Sequence, residues 1–281
     1  MTTPTAPHRQ PPANQPGPHT VAAETPSLRP LLQFAAIAVP VGWVMLSIPV
    51  LTGIEDAPFI LATLLFGLVI PSLVITAREH GGVGVRALLR DAIRLPRPIW
   101  WLAVAAVALP ITVWSAATVA GGAPPVTGAF LTGWVMTLLS SFLIVNLAEE
   151  TAWTGFAQRR AMARWGTIRG SLVTALLFAG VHLPLAFDRA HNGWDVAEGV
   201  TILLLTGVSL RLIIGYLDTW TGRSLLTIGL LHASYNSTAD LADTWTRLAI
   251  TVAFGLMAVA IHRSTSRHPK QVRAGAAKAR P

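Results

Sequence analysis

The sequence predicts an all-α polytopic transmembrane helical bundle of about eight spans. Three observations predict it. Charged residues make up 12% of the 281-residue chain, half the share of about a quarter carried by a soluble globular domain. Eight apolar runs recur, each near the ~20 residues that a helix needs to cross the hydrocarbon core. The charges between the runs fall into an alternating pattern, basic on one side and acidic or neutral on the other.

Residues 1–27 are rich in Pro, Thr, Ala and Gln and carry no apolar period, which predicts a disordered tail. They lack the charged, apolar and small-residue sequence of a signal peptide. The transmembrane unit is expected over 28–262, followed by a basic tail over 263–281. Within it the runs are Leu31 to Leu51, Ala57 to Ala77, Ile99 to Ala120, Thr127 to Ala148, Gly170 to Phe187, Ala197 to Leu217, Ser224 to Leu241 and Thr244 to Ile261. Pro40, Pro49, Pro71 and Pro110 interrupt the first three. Spanning helices tolerate proline where neighbours satisfy the freed carbonyls.

The loop from Arg78 to Arg97 carries Arg78, Arg86, Arg90, Arg94 and Arg97. Arg159, Arg160, Arg164 and Arg169 follow the fourth run, and Arg159 to Trp165 reads as a short basic amphipathic helix on the cytoplasmic surface. The C-terminal tail carries Arg263, Arg267, Lys270, Arg273, Lys278 and Arg280. Eight spans put these three segments on one side. The loops between them hold Glu55 and Asp56, then no charge over 121–125, then Asp188, Arg189, Asp195 and Glu198, then Asp240, Asp243 and Arg247. The positive-inside rule then makes both termini cytoplasmic. The expected setting is the lipid bilayer, as an integral protein of the plasma membrane. The net charge of +8 reads as topology and not as a nucleic-acid surface, since no segment is long enough for a soluble binding domain. Cysteine is absent, which excludes disulfides and thiolate chemistry. Trp100, Trp101, Trp194, Trp220 and Trp245 lie near run ends, where interfacial anchors sit.

Three runs hold polar groups that are expensive in lipid. Asn146, Glu149 and Glu150 close the fourth run. Glu149 shares a helical face with Trp153, and Glu150 with Thr154, so the carboxylates diverge by about 100°. Phe178 and His182 lie four apart in the fifth run, and His232 and Asn236 four apart in the seventh. Arg211 is a further charge in the sixth. Each group alone has an ordinary reading: a solvated helix end, a hydrogen-bonded core imidazole, a helix–helix amide contact. Together they supply a base, imidazoles and an amide donor, the parts of a hydrolase without a nucleophilic side chain. By linear counting the carboxylates lie at the cytoplasmic end of their span and His182 towards the outer end of the next. A shared site therefore requires tilt or a later-starting fifth helix.

Glu149-Glu150-Thr151-Ala152-Trp153-Thr154-Gly155-Phe156, Phe178-Ala179-Gly180-Val181-His182 and His232-Ala233-Ser234-Tyr235-Asn236 resemble the successive motifs of the CPBP family, the type II CAAX prenyl proteases and related bacteriocin-processing and self-immunity proteins. The family motifs read E-E-x-x-x-R, F-x-x-x-H and H-x-x-x-N. Residues 215–225 resemble the lead into the last motif, and the likeness covers about 130–240. The resemblance implies an intramembrane glutamic endopeptidase acting on a membrane-associated peptide or protein, with a site open to the cytoplasm. It implies that Glu149 is the general base, with Glu150 in support. His182 would hold and polarise the water, and His232 with Asn236 would stabilise the oxyanion. Phe178 belongs to the second motif. No cofactor is expected, and zinc on Glu149, His182 and His232 is the alternative. Thr154 stands where the family has arginine, and Arg159 or Arg211 are the substitutes within the chain. Two other classes remain open: a non-catalytic immunity or scaffold protein of this fold, and a proton-coupled transporter, which would show repeat symmetry.

Overall fold

The computed structural model describes residues 26–188 and 190–267. Of the tails expected over 1–27 and 263–281, residues 1–25 and 268–281 lie outside the described residues, and 263–267 continue the last helix. Those described form an all-helical bundle without strands. The helices are α1 (Arg29–Thr52), α2 (Ala57–Ala92), α3 (Trp101–Val119), α4 (128–165), α5 (167–187), α6 (Gly193–Trp220), α7 (Leu225–Asn236) and α8 (Thr244–Arg267). Among the described residues, six stretches are long and apolar enough to cross a membrane, α4 and α5 together forming one of 60 residues. The chain is accordingly an integral membrane protein.

Three boundaries differ from the sequence expectation. The arginine-rich segment after the second run is helical through Ala92, interrupted only where Gly81 takes a left-handed φ of 61°. The fourth helix does not stop at Ala148. No proline follows, so it continues to Gly166, whose φ of 78° and ψ of 168° break it. The seventh helix covers only 12 residues, Leu225–Asn236, about 18 Å at 1.5 Å per residue. Beyond it Ser237 and Thr238 turn their hydroxyls onto the carbonyls of Ser234 and Tyr235. Such local bonds favour turns over helix.

Packing follows from the apolar faces. One core joins Phe34 of α1, Leu68 of α2, Trp153 and Phe156 of α4 and Phe178 of α5. The other joins Leu109 of α3, Leu210 and Ile214 of α6 and Ile228 and Leu231 of α7. Between α4 and α7 the approach is close: a Cβ on Gly229 would stand 3.0 Å from the Leu147 Cα. Glycine there lets α7 lie against α4 beside the paired glutamates.

Candidate active site

Gly166 resolves the problem of depth. Glu150 precedes this break by 16 residues and His182 follows it by 16. Two helices that meet at the glycine and pack together return His182 to the level of the carboxylates. Gly170 lies against Met162 across the turn. The glutamates are therefore near the middle of a long helix and not at its end. They occupy a short α-helical turn, Leu147–Glu150, between π-helical stretches Ser141–Asn146 and Thr151–Gln158. Wide turns of this kind recur at functional sites.

The two carboxylates diverge as their helical positions require. Glu149, 7% exposed, lines a cavity of about 420 Å³ together with Asn146, Phe178, His182, His232 and Asn236. The other lining groups are mostly aliphatic, from α1, α2, α5 and α6. Glu150, fully buried, points away into a polar knot. Arg211 of α6 grips it with both terminal nitrogens, at 2.9 Å to Oε2 and 2.5 Å to Oε1. Thr154 Oγ1 donates to Oε2 at 2.5 Å, and His232 Nδ1 lies 2.7 Å from Oε1. A carboxylate only accepts, so the Nδ1 proton of His232 is donated to it. A buried charge needs such a partner set. The arginine absent from position 154 is thus supplied from another helix, with Thr154 filling the space and accepting from Arg211 Nη1 at 3.3 Å.

Around Glu149 the bonds are fewer. Asn146 Nδ2 donates to its Oε2 at 3.3 Å, and Oε1 faces His182 Nε2 across 3.8 Å. His182 donates Nδ1–H to the Phe178 carbonyl at 2.8 Å, because a carbonyl cannot donate. Its Nε2 in the neutral ring is then an acceptor turned toward Glu149. Asn236 Nδ2 donates to Asn146 Oδ1 at 3.3 Å, which also accepts from Ser141 Oγ at 2.6 Å. The Phe178 ring packs on His182 with centroids 4.4 Å apart and on His232 at 6.0 Å, with the Arg211 guanidinium 4.8 Å from its own centroid. It fixes both imidazoles by contact. Trp153, buried, supports Phe178 edge-on at 5.5 Å.

All the candidates named from the sequence, Glu149, His182, His232 and Asn236 with Glu150 and Phe178, meet here. The expectation for Arg159 is corrected. It does not lie on a surface helix: its guanidinium joins Asp91 of α2 at 2.7 Å and Asp218 of α6 at 2.7 Å, largely buried. Asn146 and Ser141 complete the site, and the signal for Asn146 was its place three residues before Glu149. Among the described residues, no three His, Cys, Asp or Glu side chains are grouped to hold a metal ion. His232 directs to Glu150 the nitrogen that lies 3.7 Å from Glu149 Oε2.

Residues 132–238 match the sequence model of the family described as type II CAAX prenyl endopeptidase Rce1-like. This agrees with the family that the three motifs resemble, a family of peptidases. The match spans the helices bearing Glu149, Glu150, His182, Arg211 and His232. No individual curated protein matches the chain.

Proposed function

We propose that this protein is an intramembrane endopeptidase that hydrolyses a peptide bond in a membrane-associated protein or peptide with water activated by Glu149. The observation that carries the reading is the meeting of Glu149, His182, His232 and Asn236, from three helices, on one cavity. The 3.8 Å between Glu149 Oε1 and His182 Nε2 is too long for a direct hydrogen bond. It is short enough for one water to donate to both. Glu149 takes a proton from this water as its oxygen attacks the scissile carbonyl carbon. The tetrahedral oxyanion accepts hydrogen bonds from Asn236 Nδ2 and from Nε2–H of a doubly protonated His232, whose Nδ1–H stays on Glu150, and Glu149 returns the proton to the departing amine. Each such donor contributes roughly 3 kcal/mol to the transition state. Glu150 does not reach the cavity. Anchored by Arg211, it holds the His232 ring.

The reaction is read as metal-free, with zinc on Glu149, His182 and His232 as the alternative; His232, giving Nδ1–H to Glu150, keeps Nε2 for either role. The aliphatic cavity wall fits apolar side chains beside the scissile bond. The description of the matched family favours a prenylated CAAX end, and a leader or small membrane peptide is the other substrate class. The test is a reconstituted cleavage assay over a membrane-peptide library containing both classes. Wild type is expected to cleave and Glu149→Ala to be inert while still inserting.

A further inference from the structure

We infer that the chain carries a binding site for the phosphate of an anionic phospholipid headgroup, between the α2–α3 connection and the α6–α7 turn. This is separate from the cavity above and does not depend on the peptidase reading. A concavity of about 860 Å³ opens there, walled by Arg94, Leu95 and Arg97 on one side and Thr221 and Gly222 on the other. Arg223 adjoins it in the same turn, with its side chain 62% exposed.

Charge is the first argument. Asp91 is shared by three arginines: Arg94 at 2.6 Å, Arg159 at 2.7 Å and, more distantly, Arg223 at 3.9 Å. Asp218 is already engaged by Arg159 at 2.7 Å. Among the described residues, Arg97 has no carboxylate within salt-bridge distance, and Arg94, Arg97, Arg159 and Arg223 face two carboxylates, Asp91 and Asp218, which leaves a local excess of positive charge. Arginine is the side chain suited to bind phosphate oxygens in pairs.

Depth is the second. Trp100 and Trp101 stack at 4.4 Å, and Trp101 and Trp220 at 6.0 Å. Trp100 follows the α2–α3 wall by a few residues and Trp220 directly precedes Thr221. Tryptophans of this kind mark the headgroup level. Ile93, Leu95 and Ile99 are each more than half exposed on the same connection, an unfavourable arrangement in water and a suitable one against acyl chains. Cationic groups at headgroup depth, flanked by apolar side chains, match one occupant: an anionic phospholipid.

The test is native mass spectrometry of the full chain released from nanodiscs containing equal phosphatidylglycerol and phosphatidylcholine, with thermal denaturation as a second readout. Wild type is expected to retain phosphatidylglycerol preferentially and to melt higher in its presence. Each arginine near a membrane surface contributes about 1 kcal/mol toward anionic lipid. Arg97→Gln with Arg223→Gln is therefore expected to weaken retention by roughly 20- to 30-fold. Arg86→Gln with Arg90→Gln, exposed arginines outside the pocket, is expected to leave it nearly unchanged. Three results would overturn the proposal. One is equal retention of both lipids by wild type, which needs no variant to fold. Another is equal loss in the two double variants, which would mean diffuse surface electrostatics. The third is displacement of the lipid by millimolar glycerol phosphate, which would assign the pocket to a soluble phosphate.

Discussion

Arg211 and Glu150 form a pair with no exposure to solvent on either side chain. Breaking such a pair from one side leaves an uncompensated buried charge and costs about 3–5 kcal/mol. Arg211→Leu is therefore expected to lower the thermal midpoint in detergent sharply and to abolish activity. Adding Thr154→Arg returns a guanidinium to the position four residues beyond Glu150, and is expected to recover much of both losses. A double variant no more stable than Arg211→Leu alone would show that the two arginine positions are not equivalent. Glu149→Gln retains the cavity and its hydrogen bond from Asn146 but removes the base. It is expected to reduce cleavage by about 10²–10⁴-fold, the range of general-base catalysis, without moving the thermal midpoint by more than a few degrees. That Glu149, His182, His232 and Asn236 line one cavity was legible because three polar clusters on three apolar runs together point to a buried polar site, although each alone has an ordinary reading. Arg159 was not legible. Its partners, Asp91 and Asp218, lie 68 and 59 residues away, and on a local reading a basic residue after a span is an interfacial one.

Helix register decides whether those residues meet. Gly229 sits one turn before His232 and within 3.0 Å, by its missing Cβ, of the α4 backbone at Leu147. Gly229→Val is expected to push α7 away from α4 and loosen the His232–Glu150 bond. A displacement near 1 Å costs on the order of 10²-fold in rate. Circular dichroism should remain helical while cleavage falls by about that factor. An undiminished rate would show that His232 does not need its present position. The apolar runs located the helices well, since each has to bury or immerse an unbroken apolar surface. Their ends were less legible. Two carboxylates look like the end of a span, yet α4 continues because Arg211 and His232 accommodate Glu150 inside the bundle. The true signal was Gly166, the first residue after the pair to break the helix. Its equal spacing from Glu150 and His182 brings the second motif to the first.

The whole molecule is an integral membrane bundle, and the sequence pattern predicts that its three basic clusters lie on one side. Because cysteine is absent, single cysteines report topology without background. Cysteines at Arg86 and Arg263 are expected to react with an impermeant reagent from the same face, and one at Glu55 from the opposite face. Labelling of positions 86 and 263 from opposite faces would overturn the span order. Metal dependence is also a property of the whole molecule. Prolonged chelation, followed by removal of the chelator, is expected to leave the cleavage rate unchanged, and loss reversed by added zinc would overturn the metal-free reading. The fold class was legible from the low charge content and the repeated apolar runs, because lipid imposes helices and excludes most charges. The substrate was not, since it is set by cavity shape and by what the membrane delivers. The central claim is hydrolysis by a glutamate-activated water. The most direct measurement is cleavage of a reconstituted membrane-peptide library by wild type and by Glu149→Ala, read by mass spectrometry for new peptide ends. Wild type is expected to cleave at defined bonds and the variant at none. Equal inertness of both proteins across the library, or equal cleavage by both, would contradict it.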